Sequence, residues 1–234
     1  FADGASVRIF GLQDGRPWRA EEVRPNFAGG VDFLAVREGE TLGLVRLRVP
    51  GRHNASNAMA ALVVADFLGI PFSVARQALT SFRGVARRFE VKGEAEGVVV
   101  VDDYAHHPTE IRATLQAARE RFPDRRIWAV WQPHTYSRTR ELMDEFALAF
   151  EDADRVIVLP IYAAREKDTL GVSAADAAAL MNHPQVEAVS SLRAAVERLL
   201  HSVGDEDVVL TLGAGDGDSV GEWLLSELQG RPDV

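Results

Sequence analysis

One stretch limits what this chain can fold into: Val98-Val99-Val100-Val101-Asp102-Asp103-Tyr104-Ala105-His106-His107-Pro108-Thr109-Glu110. Four β-branched valines in a row read as a strand buried on both faces, the habit of a parallel sheet with helices packed over it. The run then turns polar, with two carboxylates, a phenol and two imidazoles within six residues. Pro108 suits the first position of a helix, where an N–H would be unpaired anyway. Behind it, Ile111, Leu115 and Ala118 recur at helical spacing. The polar cluster therefore falls on a loop between a central strand and its crossover helix. In open α/β sheets that carboxyl edge is where ligands bind.

From residue 97 onward the pattern alternates. Apolar strand runs lie at 98–101, 127–131, 156–160, 186–189 and 208–212, and helical patterns fill 108–121, 137–150, 174–181, 191–202 and 218–228. This predicts an α/β domain, a parallel sheet with helices on its faces. Ser173 with Asp176 reads as a capping box, and residues 230–234 read as a frayed tail. Residues 1–50 are patterned differently. Ser6–Leu12 and Trp18–Val23 flank Asp14-Gly15, and Val31–Val36 and Leu42–Val49 flank Arg37-Glu38-Gly39-Glu40, which predicts antiparallel hairpins. Val45, Leu47 and Val49 alternate with Arg46 and Arg48, as in a half-buried strand. Asn54 reads as the N-cap of an alanine-rich helix that runs to about Leu68, with Gly69 at the C′ position. A second helix is expected from Ser73 to about Phe82, followed by a positive cluster, Arg83 to Phe89, and a domain boundary near 89–92.

Composition closes off several classes. The net charge of −9 argues against a general nucleic-acid or membrane-surface binder, while leaving room for phosphate contacts by a few arginines. The chain has no cysteine, which removes disulfides, thiolate metal sites and a thiol nucleophile. It has neither a G-x-S-x-G nucleophile elbow nor a G-x-x-x-x-G-K-[ST] phosphate loop. No apolar run is long enough to span a bilayer and no signal-peptide pattern opens the chain, so a soluble cytoplasmic protein is expected. Phe1-Ala2-Asp3-Gly4 lacks an initiator Met and reads as the middle of a longer chain.

Parallel strands share one carboxyl edge, so the loops after them converge. The first three bring Asp102, Asp103, Tyr104, His106 and His107, then Gln132, His134, Tyr136, Arg138 and Arg140, then Tyr162, Arg165, Glu166, Lys167 and Asp168. The fourth brings Ser190 and Ser191, and the fifth Gly213-Ala214-Gly215-Asp216-Gly217-Asp218. Each feature also has an ordinary reading. An Asp pair ending a strand can be a turn or a cap. Adjacent histidines point in different directions, and the pair lacks a third metal ligand. Arg165 to Asp168 reads as a solvated charge run. The glycine loop lacks the full dinucleotide spacing, and tight strand-to-helix packing is its default. Arg138 follows Ser137, the expected N-cap; a cation in a helix's first turn opposes the macrodipole, a mild cost that points to an anion facing it.

Five motifs in order carry a resemblance. They are Gly51-Arg52-His53-Asn54 with Asn57-Ala58, Arg87-Arg88-Phe89-Glu90, Asp102 to Glu110, Gln132-Pro133-His134-Thr135-Tyr136-Ser137-Arg138-Thr139, and Gly213-Ala214-Gly215-Asp216. The chain resembles the Mur ligases of bacterial cell-wall synthesis from about residue 30 to its end. His-His-Pro-Thr-Glu and Gln-Pro-His favour the branch that joins L-alanine to UDP-N-acetylmuramate over the muropeptide-recycling branch. The resemblance implies that residues 1–90 end a central ATPase domain, as a hairpin and helical remnant, and that 91–234 form a C-terminal Rossmann-like domain for the incoming amino acid. It implies an acyl-phosphate reaction with ATP and Mg2+. It places Asn54 and Asn57 at the adenine, and Arg88 and Asp103 at the nucleotide. It places Tyr104, His106, His134 and Arg138 near the alanine and the reacting carboxyl group, with His106 and Arg138 catalytic. Thr135 stands where some members carry Arg. The family's phosphate loop, its Glu and His magnesium ligands and its UDP-sugar domain have no counterpart in these residues, so the chain alone is expected to be inactive.

Two other classes stay open: a non-catalytic Rossmann-like interaction module, and a nicotinamide-dependent oxidoreductase. An upstream phosphate loop discriminates the first from a ligase, and a cofactor titration the second.

Overall fold

The computed structural model describes residues 7–167 and 171–230. Ser6, Asp168 and the expected tail at 231–234 lie outside the described residues. The chain divides into two compact units, Phe1–Gly84 and Val85–Val234. The division comes ahead of the expected 89–92, because Arg87 and Phe89 are hydrogen-bonded to Asp102 and Asp103.

In the first unit β1 (Phe10–Gly11), β2 (Trp18–Pro25), β3 (Val31–Arg37) and β4 (Glu40–Arg46) lie side by side in chain order. The pairs β2–β3 and β3–β4 are antiparallel hairpins, as the turn signals require. The first pair corrects the expectation: β1 runs parallel to β2, with Phe10 opposite Trp18. A two-residue strand with an exposed Phe10 has no buried face to enforce an antiparallel register. Helices α1 (Arg52–Phe67) and α2 (Phe72–Ser81) complete the unit. Ala55, Ala58, Met59 and Leu62, at helical spacing, pack with Trp18, Phe33 and Val45 into its core. Gly51, not Asn54, is the N-cap of α1; its φ of +89° is open to glycine, so the helix starts sooner and Asn54 becomes its third residue. Gly69, at φ +71°, takes the expected C′ place.

In the second unit the strands are β5 (Glu90–Ala95), β6 (Val98–Asp103), β7 (Arg126–Trp131), β8 (Arg155–Val158), β9 (Val186–Ala188) and β10 (Asp207–Leu212). They form one sheet in the order β5-β6-β10-β7-β8-β9, parallel except for β5, which runs antiparallel to β6. The five strands expected to be parallel are so, and β5 adds an antiparallel edge that makes the sheet mixed. Strand β5 was illegible because only Ala95 in it is buried, and a charged, solvated edge leaves no apolar signal.

The helices are α3 (Pro108–Arg121), α4 (Tyr136–Glu141), α5 (Met143–Ala147), α6 (Ala174–Leu180), α7 (Leu192–Leu200) and α8 (Asp218–Gln229). The single helix expected over 137–150 is broken at Leu142. The segment after the break lays Phe146 and Phe150 on Trp131, with ring centroids 4.6 and 5.3 Å away. That aromatic packing outweighs an unbroken helix. The capping box of Ser173 and Asp176 forms as read. Among the described residues no helix is long and apolar enough to cross a membrane.

Period two sorts the sheet onto two cores. Val99 and Val101 face one core with Ile111 and Leu115 of α3 and Phe146 of α5, while Val98 and Val100 face the other with Val196 of α7 and Leu224 of α8. The same parity sends Asp102 and Asp103 to opposite faces of the sheet.

Gly221 in α8 rides directly over β6. Alanine within a helix normally gains ~0.5–1 kcal/mol over glycine. Here its Cβ would lie 2.8 Å from Val100 Cγ1, and overpacking costs ~1–3 kcal/mol. Gly221→Ala is expected to lower the urea unfolding free energy by about 1 kcal/mol at an unchanged m value; a gain in stability would show that α8 shifts freely.

Candidate functional site

The site is assembled where the parallel strands end. Asp102, 2% exposed, accepts from Thr211 Oγ1 at 2.6 Å and from Arg87 Nε at 3.0 Å. Asp103, on the other face, accepts from the Phe89 and Ala105 amides, both at 2.8 Å. Burial pushes both carboxyls above the usual range, against the pull of these donors. Asp103 thus ties two loops together, and neither Asp lies in the row of rings described next.

Arg87 reaches across the sheet edge. Its Nη2 donates to the Gly213 carbonyl at 3.0 Å and its Nη1 to that of Gly215 at 3.3 Å. Its guanidinium lies 5.2 Å from the centroid of the Tyr104 ring, and that of exposed Arg88 lies 5.5 Å from it. Arg87 and Phe89 sit at φ +58° and +49°. Such left-handed residues cost roughly 1–2 kcal/mol each. The bonds from Arg87 N to Glu90 and from Phe89 N to Asp103 hold them there.

The glycine loop packs rather than cradles. Gln132 Oε1 accepts from Gly217 N at 2.9 Å, and Gln132 Nε2 donates to Asp216 at 2.7 Å. Any Cβ at Gly215 would collide with Gln132 and the Tyr162 ring. Gly217 N, at the mouth of α8, is therefore already partnered.

Above this scaffold four rings from three loops stand in a row. Tyr104 meets His106 edge-on at 5.3 Å, His106 meets His134 at 5.9 Å, and His134 stacks on Tyr162 at 5.6 Å. His106 Nδ1 lies 2.9 Å from the Tyr104 carbonyl and 3.3 Å from Glu110 Oε2, both acceptors, so Nδ1 is the donor there and Nε2 stands outside those contacts. Glu110 accepts from the amides of His106 at 3.0 Å and His107 at 3.2 Å. Burial pushes its carboxyl up, yet those amides and nearby His106 and Arg88 bring it below the usual range. His107 turns away and caps α3, its Nδ1 accepting from Thr109 N at 3.3 Å. The two histidines diverge as expected.

Arg138 completes the row. Its Nη1 lies 3.5 Å from His134 Nδ1 and 3.4 Å from the His134 carbonyl. Burial, then Arg138 and His106, push His134 below its ordinary value. The N-cap of α4 is Thr135 rather than Ser137, and it has no side-chain cap of its own. Glu166 supplies one from the loop after β8. It accepts from Thr135 Oγ1 at 2.8 Å, Ser137 Oγ at 2.5 Å and Ser137 N at 2.9 Å, bonds that pull its carboxyl down to about 2. The charge run read as a solvated face therefore includes an anchor. The signal for it was negative: Arg138 stands where a capping box carries Glu or Gln, so the acid had to come from elsewhere.

The structure thus brings together Tyr104, His106, His134 and Arg138, with Arg88 beside Tyr104 and Asp103 in the supporting layer. Asn54 and Asn57 belong to the first unit. Asn54 donates to the Pro50 carbonyl at 2.8 Å and accepts from Asn57, one turn on, at 3.3 Å. Among the described residues no three His, Asp or Glu gather as metal ligands would.

The second unit is a Rossmann-like α/β domain whose sheet carries a guanidinium and two imidazoles together at its carboxyl edge. The Mur ligase glutamate ligase domain matches residues 87–215, more than half of the sequence, and the chain belongs to the Mur ligase family. It is 44% identical to the UDP-N-acetylmuramate–L-alanine ligase of Caldanaerobacter subterraneus subsp. tengcongensis over 224 residues, which are 95% of this chain and 48% of that protein. The crystal structure of the UDP-N-acetylmuramate–alanine ligase of Thermotoga maritima matches with a TM-score of 0.77 at 29% identity, over 94% of this chain and 47% of that one. The Thermotoga maritima MurF ligase, solved with ADP, shares the fold, with a TM-score of 0.72 at 22% identity over 95% of this chain and 49% of that one. The chain spans about half the length of the curated relatives it matches.

The Glu166 cap makes stability depend on pH. Its folded value of about 2 lies below the ordinary 4.5, so its contribution is whole above that ordinary value and is lost as pH falls towards about 2. The stability gap between the wild type and Glu166→Gln, measured by urea unfolding, is expected to be constant above about pH 5.5 and to close by about pH 2. A gap that ignores pH would remove the charge from the cap.

Proposed function

We propose that this chain is the second half of an ATP-dependent ligase that joins L-alanine to UDP-N-acetylmuramate in peptidoglycan synthesis. The observation that carries the reading is the gathering of Arg138, His134 and His106 on one edge, in a chain alike over 95% of its length to such a ligase. Residues 1–90 then end the ATPase domain and 91–234 form the amino-acid domain. The setting is cytoplasmic, with no nucleic-acid or membrane partner, in keeping with the net charge of −9.

ATP phosphorylates the muramoyl carboxylate. The alanine amine attacks the acyl phosphate, phosphate leaves the tetrahedral intermediate, and the amine gives up a proton. Positioning and charge neutralisation, rather than a covalent enzyme nucleophile, supply the catalysis. Arg138 pairs its fork with the alanine carboxylate, flanked by Tyr104 and His134. His106, whose Nε2 stands outside the Tyr104 and Glu110 contacts, takes the proton. The Asn54 and Asn57 amides can donate and accept as an adenine edge requires, and Arg88 brings a guanidinium suited to phosphate, while Asp103 holds the Phe89 and Ala105 amides. Mg2+ would neutralise phosphate charge. The described residues gather no ligand set for it, and no step here is assigned to it. The nicotinamide reading is disfavoured by Gly217 N, which Gln132 already occupies.

Two measurements test this reading. Phosphate release with ATP, Mg2+, UDP-N-acetylmuramate and L-alanine is expected from a chimera completed with the amino-terminal half of the Caldanaerobacter relative, and not from the 234-residue chain alone. Equal turnover by the short chain would place a phosphate site within these 234 residues. In the chimera, Arg138→Ala is expected to cut kcat/KM for L-alanine by about 10- to 100-fold, ~1.4–2.8 kcal/mol. Arg138→Lys should recover little, since it keeps the charge but loses the fork. Unchanged kinetics would remove Arg138 from the site.

A further inference from the structure

We propose that Glu166 is a positioning residue that holds Arg138 against His134, and through it the amino-acid end of the site. The inference rests on the ligase reading for the identity of the ligand, but its geometry stands alone. Helix α4 is only six residues long and has no cap of its own. A turn this short does not hold itself together in water. Its first turn is fastened by three hydrogen bonds to one carboxylate, all from Thr135 and Ser137, the residue immediately before Arg138.

The same loop is fixed at a second point. Four residues before Glu166, Tyr162 stacks on His134 at an interplanar angle of 13°, and its amide donates to the Pro133 carbonyl at 2.9 Å. The loop after β8 therefore grips the loop after β7 from both ends. His134 is held by Tyr162, and Glu166 fastens the turn that carries Arg138, whose guanidinium lies near the imidazole. Glu166 acts on Arg138 through the turn that carries it.

The test is a histidine titration by NMR on the 234-residue chain, following the ring protons of His134. The titratable and charged groups facing that ring are Arg138 and His106, which lower its pKa, and Glu166, which raises it. The two accounts of Glu166 therefore differ in sign. If Glu166 acts only by its charge, Glu166→Ala moves the His134 midpoint down. If Glu166 holds Arg138 in place, its loss frees the guanidinium, the larger effect, and the midpoint moves up. The expected result is an upward shift in Glu166→Ala, an upward shift in Arg138→Ala, and no further rise in the double variant. Glu166→Asp keeps the charge but draws it one methylene back from Thr135 and Ser137, and should also shift the midpoint upward, so the test survives if Glu166→Ala fails to fold. A midpoint that falls or stays overturns the proposal. Adding L-alanine to the wild type asks a separate question. A displaced His134 resonance supports the amino-acid site, whereas its absence overturns the ligand assignment and leaves the titration result standing.

Discussion

The carboxyl edge of the second unit depends on one arginine. Arg87 pairs with a carboxylate that water hardly reaches, donates to two carbonyls of the glycine loop and lies over the Tyr104 ring. Strand β10 has β6 on one side and β7 on the other, and the helices after those two strands pack on the face opposite α8. The loops consequently splay apart on both sides of β10, where an open sheet would leave a crevice. Arg87 fills one side and Gln132 the other. Losing the partner of a buried charge costs ~3–5 kcal/mol. Arg87 is 27% exposed, which places its loss near the low end of that range.

Beyond these side chains stands the row of rings. Neighbouring identical residues divide the tasks. Asp102 binds Arg87 on one face, while Asp103 binds backbone amides on the other. His106 enters the row, while His107 caps α3. In each pair the backbone direction decides the role, by strand parity for the carboxylates and by the start of the helix for the imidazoles. On the ligase reading proposed above, a guanidinium in a fixed place binds a carboxylate better than a mobile one because less freedom is lost on binding.

Much of this was legible in the residues themselves. The valine run, Pro108 and the helical spacing behind it located β6, the loop and α3 to within a few residues, because burial on two faces leaves a continuous apolar signal. The convergence of Tyr104, His106, His134 and Arg138 followed from parallel strands sharing an edge. What stayed hidden depends on distant partners or on solvated surface. Strand β5 is charged and buries only Ala95. Glu166 caps a helix that begins 30 residues earlier, and no local pattern reports a bond across that gap. The N-cap of α1 was misread because Asn54 is a good capping residue, yet Gly51 could take a conformation that Asn54 was not needed for.

The measurement closest to the centre of this account is a double-mutant cycle on Arg87→Ala and Asp102→Asn, read by urea unfolding of the 234-residue chain at neutral pH. If the pair is the clamp on which the edge is built, the two substitutions couple by at least about 1.5 kcal/mol, because either one alone already breaks the same network. Effects that add to within about 0.5 kcal/mol would contradict it, and would show that the glycine loop and Tyr104 are held without Arg87.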